Sequence, residues 1–118
     1  MKRDMELIRT ILISIEENNS QMGWIDLDIP EYEDDMISYH VELLNNAGFI
    51  EAVDLSSMDG YEWKPKKITW NGHEFLDSIK NDTVWNEVKE QVKEKGGNIS
   101  FEVLKALALQ VSSKLFLS

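Results

Sequence analysis

Apolar residues recur every three or four positions over long stretches of the chain, which is the spacing of amphipathic helices. A first helix is predicted from a cap at Asp4 to about Glu17. Its apolar stripe consists of Met5, Ile8, Leu12 and Ile15, thickened by Leu7 and Ile11. A second helix is predicted within residues 32–49, YEDDMISYHVELLNNAGF, and Gly48 follows it where a left-handed cap favours glycine. Its apolar stripe is Ile37, Val41 and Leu44, widened by Met36, Leu43 and Ala47.

The pattern changes from helical to alternating on both sides of this second helix. Ile25, Leu27 and Ile29 alternate with aspartates, which predicts a short, half-buried strand that Pro30 ends. After the helix, residues 50–55 and about 61–70 predict a two-stranded wing around an Asp59-Gly60 turn. Pro65 makes the return strand an edge strand or breaks it there, because proline cannot donate a ladder hydrogen bond.

The remainder of the chain is predicted to be helical. One helix contains Phe75, Leu76 and Ile79, and the next is predicted to begin at an Asp82 cap and to end at Gly96-Gly97. The inner face of this next helix is predicted to hold Val84 or Trp85, Val88 and Val92. Ser100 is predicted to cap the final helix, whose stripe is Leu104, Leu107, Val111 and Leu115, with Phe101, Ala108 and Phe116 nearby.

The order of these elements predicts an α+β, mostly helical fold: a winged helix-turn-helix with a C-terminal helical extension. The winged-helix domain is expected over residues 1–81, and a two-helix extension packed on it over residues 82–118. In a DNA-binding winged helix, the helix within 32–49 would read the major groove. Only Pro30, Glu31 and Tyr32 precede it after the predicted strand, so the helix that normally braces such a reader is short or missing.

Charge changes the functional interpretation of this fold. The 118-residue chain has a net charge of -10, and residues 10–63 contain 13 acidic residues and no lysine or arginine. The polar face of the second helix therefore carries acids where a DNA reader carries cations. Because phosphate neutralisation supplies most non-specific DNA affinity, this half of the chain should be repelled by duplex DNA.

Candidate catalytic chemistry is sparse. The chain has no cysteine, and His40 and His73 are far apart without the spacing of paired metal ligands, so a structural role is expected for each. We therefore expect no enzyme activity, no metal and no cofactor. No apolar run approaches the roughly 20 residues of a membrane span, and a cytoplasmic protein without membrane contact is expected.

Several segments resemble a known family. They are MKRDMELIR, ISYHVELL, ITWNGHEFLDSI, DTVWNEVKE, and the Gly96-Gly97 segment that leads into FEVLKALAL. Together they resemble the bacterial and prophage family called domain of unknown function 2513. The resemblance implies a winged helix and a setting on mobile elements, and it implies no activity, since the role of that family is not established.

Two functions remain open. The first is an interaction module that binds a protein partner with a basic surface, in one variant as a charge mimic occupying the site of a nucleic-acid-binding protein. Its predicted contact residues are Asp34, Asp35, Ser38, Tyr39, Glu42 and Asn45. The second is a DNA-binding regulator that uses the same helix together with the wing lysines Lys64, Lys66 and Lys67. A homodimer through the C-terminal helix is compatible with either function.

Overall fold

A computed structural model describes residues 2–18, 23–96 and 99–117, with side chains described as far as residue 115. Its elements are α1 (Met5–Glu17), α2 (Asp34–Asn46), β1 (Ile50–Asp54), β2 (Trp63–Ile68), α3 (Trp70–Ile79), α4 (Asp82–Glu94) and α5 (Phe101–Leu117). The α+β, mostly helical class is thereby confirmed. The chain forms two compact units, Met1–His73 and Glu74–Ser118. The boundary expected between residues 81 and 82 stays a prediction.

Helix α1 begins and packs as its sequence predicts. The Asp4 carboxylate accepts a hydrogen bond from the Leu7 amide at 3.1 Å, which satisfies one of the free donors of the first turn. The helix buries the apolar residues Leu7, Ile8, Ile11, Leu12 and Ile15. Met5, also predicted for this stripe, is only half-buried because it lies in the first turn.

The strand predicted at Ile25 to Ile29 does not form. The expected burial alternation is present, since Ile25 and Ile29 are buried while the aspartates between them are exposed. One backbone hydrogen bond joins this segment to β2, from the Ile25 amide to the Pro65 carbonyl at 2.8 Å. Pro65 has no amide hydrogen to return the bond, so a ladder cannot grow at this position.

Helix α2 is shorter than the stretch that predicted it, and it buries Ile37, Val41 and Leu44 as expected. Ala47, predicted to widen the apolar stripe, is exposed because it caps the helix rather than continuing it. Gly48 follows with φ of +82°, which confirms the left-handed glycine. Residues 23–33 contain no helix, so this described segment between α1 and α2 does not supply the bracing helix of a DNA reader.

Strands β1 and β2 form the predicted antiparallel hairpin. Glu51 pairs with Lys67 and Ala52 pairs with Pro65, so Lys66 is left as a bulged residue beside the proline. The irregularity therefore falls where the sequence predicted a broken or edge strand. At the far end, Ser57 and Gly60 close the turn through two backbone hydrogen bonds of 2.9 and 3.1 Å.

The start of α3 is fixed to the end of α2 by Thr69 and Gly72. The Thr69 hydroxyl donates to the Gly48 carbonyl at 2.6 Å and accepts from the Gly72 amide at 3.1 Å. A Cβ atom on Gly72 would lie 2.6 Å from Cγ2 of Ile68 and closer still to the carbonyl oxygen of Phe49. Glycine at this position allows the helix to begin directly against the backbone that enters β1.

In the second unit, most residues of the predicted apolar faces are buried. Three predictions there are wrong: one helix cap and the burial of two side chains. Asn81, not Asp82, caps α4, because its side chain accepts from the Val84 amide at 3.0 Å. Val92 is only half-buried, since it lies in the last turn of α4. Leu115, predicted inside the α5 stripe, is 46% exposed because it lies beyond the last buried residue of that stripe, Val111.

Other details of the second unit follow the sequence. The Ser100 hydroxyl accepts from the Val103 amide at 3.2 Å, so this cap is confirmed. Phe75 in α3 is fully buried and meets Phe101 in α5 edge to face, with ring centroids 5.5 Å apart. Gly96 adopts φ of +96° after α4. The predicted contributions of Gly97 and of the Phe116 side chain lie outside the described residues.

Candidate interaction surface of α2 and the hairpin

The polar face of α2 is largely occupied by the hairpin. The Ser38 hydroxyl accepts from the Trp63 amide at 3.1 Å, and the Asn45 side-chain oxygen accepts from the Ala52 amide at 3.1 Å. The Glu42 carboxylate accepts from the Tyr61 hydroxyl at 2.7 Å. Burial of the ring, followed by that hydrogen bond, raises the pKa of Tyr61. Three of the six predicted contact residues thus have internal partners.

Ser38 is the clearest departure from the expected open face. The residue is 5% exposed, so its hydroxyl is not presented to solvent. Its proximity to β2 could not be inferred from helical periodicity, because its partner Trp63 lies 25 residues further along the chain. Serine at this position instead satisfies a backbone donor of the hairpin.

The remaining predicted contact residues are more open. Asp34 and Asp35 are exposed in the first turn of α2, where carboxylates also suit the positive end of the helix dipole. Within the described chain, neither forms an ion pair. Tyr39 is half-buried and lies edge-on to the His40 ring, with centroids 5.5 Å apart. A partner could therefore cover the exposed part of the Tyr39 ring without disturbing a hydrogen bond described for it.

Two of the three hairpin lysines have internal partners. Lys64 contacts Asp26 at 2.5 Å and Glu62 at 3.4 Å, and its ammonium lies 5.7 Å from the centroid of the Trp24 ring. The hydrogen bond to Asp26 is the largest cause of the raised pKa of Lys64. Lys67 pairs with Glu51 at 3.1 Å. Among the described residues, Lys66 is the hairpin lysine without an acidic partner.

A cleft of about 340 Å³ separates the start of α2 from the hairpin. Its apolar lining includes Leu27, Ile37 and Pro65, and its aromatic lining is Tyr61 and Trp63. Acidic residues complete it: Asp34 and Asp35 from α2, and Asp59 and Glu62 from the hairpin. We refer to this feature as the α2–hairpin cleft.

Sequence reasoning missed the aromatic and hairpin side of this cleft. Tyr61 and Trp63 are two positions apart in the predicted return strand, a spacing that places two side chains on one face of an extended segment. That spacing was a usable signal for an aromatic wall. What the spacing could not reveal is that the same face meets α2 rather than solvent.

His40 is fully buried and has a structural role at the start of α1. Its Nε2 atom accepts from the Asp4 amide at 2.8 Å, so the proton is on Nδ1, which donates to the Met36 carbonyl at 2.8 Å. Desolvation lowers the pKa of His40, although the Met36 carbonyl and the Asp4 charge oppose that shift. Asp4 also accepts from the Tyr32 hydroxyl at 3.0 Å, and burial followed by this bond raises the pKa of Tyr32 to about 12.

The rest of the described surface offers little other chemistry. His73 is exposed in α3. Across residues 2–18, 23–96 and 99–117, no three histidine or carboxylate side chains gather closely enough to hold a metal ion. None of the helices in that part of the chain has both the length and the apolarity needed to cross a bilayer.

The chain thus combines a helix–hairpin unit bearing an acidic cleft with a second helical unit, in an α+β fold. The model of the family described as "Hypothetical protein (DUF2513)" matches residues 2–98, and the chain belongs to that family. A protein of Haemophilus influenzae named "Uncharacterized protein" is similar over 116 residues, with 39% identity and 98% of each chain covered. No solved structure matches the chain.

Proposed function

We propose that this protein is a non-enzymatic interaction module on a winged-helix plan, which binds a protein partner through the acidic side of α2. The observation that carries the proposal is the distribution of unpaired charge. Asp34 and Asp35 are exposed without an ion-pair partner in the described chain, while Lys64 and Lys67 are held by carboxylates. A basic protein surface is the complement of such a field.

Tyr39 is the proposed anchor of this contact. Tyrosine is favoured at interface centres because it buries a large ring and keeps a polar tip. The carboxylates around it would raise the association rate more than the final affinity. A partner that itself binds nucleic acid presents a basic surface of this kind, and the acidic side of α2 would then act as a charge mimic.

The test is affinity capture from the native host with nuclease treatment, comparing the wild-type chain with Tyr39→Ala. Trp70→Ala is the matched control, because it truncates an aromatic ring that is 78% exposed in α3. We expect a protein to be retained after nuclease treatment, to be lost with Tyr39→Ala and to be kept with Trp70→Ala. Loss of capture on nuclease treatment would contradict the proposal, provided that thermal melts show both variants folded.

DNA binding is the competing function, and the contacts between α2 and the hairpin argue against it. The contacts of Ser38, Glu42 and Asn45 with the hairpin occupy side chains that a recognition helix would turn toward bases. We expect random and host-derived duplexes to bind weakly at about 0.15 M salt, where surface charges are screened beyond roughly 8 Å. Any residual binding should depend on Lys64, Lys66 and Lys67. Tight, sequence-selective binding that is lost with Tyr39→Ala would establish the regulator instead.

The absence of catalysis is part of the proposal and has its own test. His73→Gln changes an exposed side chain, so folding and partner capture should both be retained. Complete loss of the biological phenotype in this folded, partner-binding variant would indicate chemistry at His73. The same comparison for His40→Gln requires a stability measurement first, because His40 is buried.

A further inference from the structure

The α2–hairpin cleft has a shape and a composition that suit a particular side chain. At about 340 Å³ it is at the low end of ligand pockets, which hold roughly 300–1,000 Å³. A cleft of this size accepts one or two side chains of an extended segment, and it is too small to seat a helix. Leu27, Ile37 and Pro65 provide apolar contact along its lining.

The unpaired carboxylates that line the cleft favour a cationic ligand. Lys64 lines it, but Asp26 and Glu62 already neutralise that ammonium. Asp34, Asp35 and Asp59 also line the cleft, and none of them forms an ion pair within the described chain. The helix dipole accounts for carboxylates at the start of α2, but it does not account for Asp59, which reaches the same cleft from the turn of the hairpin.

We propose that the α2–hairpin cleft receives an arginine or lysine side chain from an extended segment of the protein partner. This inference rests on the proposed function and names the group that the partner inserts. The aliphatic stem of such a side chain packs on apolar surface while its head remains polar. The head then meets the carboxylates and the Tyr61 and Trp63 rings, which together combine ion pairing with cation–π attraction.

The direct test is an NMR titration of the full chain, labelled with nitrogen-15, with the peptide Gly-Arg-Leu-Arg-Gly. The control peptide replaces both arginines with citrulline, which keeps the shape and removes the charge. We expect saturable shifts grouped at Ile37, Gly60 and the Trp63 indole for the arginine peptide alone. Shifts distributed over the acidic surface, or the absence of binding, would overturn the assignment of the cleft.

Two charge-matched variants separate a defined site from general attraction. Asp35→Asn/Asp59→Asn removes two charges from the cleft, and Asp28→Asn/Glu31→Gln removes two exposed charges elsewhere in the same unit. We expect the cleft variant to weaken peptide binding about fivefold, the effect of losing two screened charge contacts, and the control by less than about twofold. Equal losses in the two variants would show diffuse attraction and overturn the inference.

Failure of this inference differs from failure of the proposed function. If the peptide does not bind while a nuclease-resistant partner is still captured through Tyr39, the cleft assignment is wrong and the interaction module stands. If neither peptide binding nor Tyr39-dependent capture is found, both are wrong. Peptide binding that Asp35→Asn/Asp59→Asn selectively weakens, together with weaker partner capture by the same variant, supports the inference.

Discussion

The two compact units of the chain expose different chemistry. In Met1–His73, α2 and the hairpin surround an acidic cleft, and the most exposed large apolar side chains among its described residues are Met58 at the turn and Trp70 at the start of α3. Among the described residues of Glu74–Ser118, α5 exposes Val103, Leu109 and Leu115 by 49%, 52% and 46%. The first unit is therefore suited to recognition by charge, whereas the second exposes apolar side chains at separate positions around one helix.

The internal contacts of the two units differ as well. Helix α2 is fastened to the hairpin by polar side chains that reach backbone and side-chain partners, such as Ser38, Glu42 and Asn45. In the second unit, the ring contact between Phe75 and Phe101 is apolar. Mutations that remove one kind of contact or the other should therefore lower the unfolding free energy by different amounts. The largest loss is expected in the aromatic core of the second unit.

Replacing Phe75 with alanine should cost about 3–5 kcal/mol of unfolding free energy, because a fully buried ring leaves a cavity. Phe101→Ala is the control, since its ring meets Phe75 but is only half-buried. Urea denaturation of both variants measures the difference. Equal, small losses would show that the Phe75 site collapses without a cavity.

Gly72→Ala should destabilise the first unit by about 1–3 kcal/mol, the usual cost of overpacking. The added methyl group would overlap the carbonyl of Phe49 and would lie too close to Ile68. The clash with Phe49 involves backbone atoms, which cannot be relieved by a change of rotamer. Gly23→Ala is the control, because a Cβ there meets nothing within 4 Å. Thermal melts compare the two, and a neutral Gly72→Ala would show that α3 shifts easily at its start.

Some of these contacts could be predicted from the sequence and others could not. Periodicity and capping chemistry predicted the helices and their buried faces, and the Asp59-Gly60 signal predicted the hairpin. The alternation at Ile25 to Ile29 predicted burial correctly but the strand wrongly, since a strand also requires a partner with donors to share. Contacts such as Lys64 with Asp26, 38 residues apart, depend on tertiary packing that no local pattern encodes.

Acidification should destabilise the protein through His40. Desolvation lowers its folded-state pKa below the ordinary 6.5, so the unfolded state binds the proton more readily. Stability is then fully present above about pH 6.5 and falls as the pH drops from there toward the folded pKa. Protonation of Nε2 removes the acceptor of the hydrogen bond from the Asp4 amide. The groups that face the His40 ring are the Tyr39 ring and Asp4, whose carboxylate also accepts from the Tyr32 hydroxyl.

The measurement is unfolding free energy between pH 8 and about pH 5, a window in which histidine is the ordinary titrating side chain. His73→Gln is the control variant, because it replaces the exposed histidine and leaves His40 in place. His40→Gln should be less stable at neutral pH and should lose this component of the slope. An unchanged slope in His40→Gln would show that carboxylates produce the whole effect.

Tyr61→Phe should cost about 1 kcal/mol, the usual net contribution of one hydrogen bond. The substitution keeps the ring and removes only the hydroxyl that donates to Glu42 at 2.7 Å. Tyr39→Phe is the control on the same surface, since no hydrogen bond is described for its hydroxyl. Chemical denaturation should separate the two variants, and equal values would mean that water replaces the α2–hairpin bond without loss.

The smallest effect on folding is expected from Leu109→Asn, within about 0.5 kcal/mol, because the side chain is 52% exposed. Its effect on association should be larger. We propose that two copies meet through the side of α5 opposite its buried stripe, where Leu109 would leave water. Sedimentation at micromolar concentration should show a dimer that Leu109→Asn weakens. Gln110→Asn, at an exposed polar neighbour in the same helix, should not weaken it. A wild-type monomer under these conditions would overturn the dimer and would make Leu109 an isolated exposed apolar residue of the kind that most protein surfaces carry.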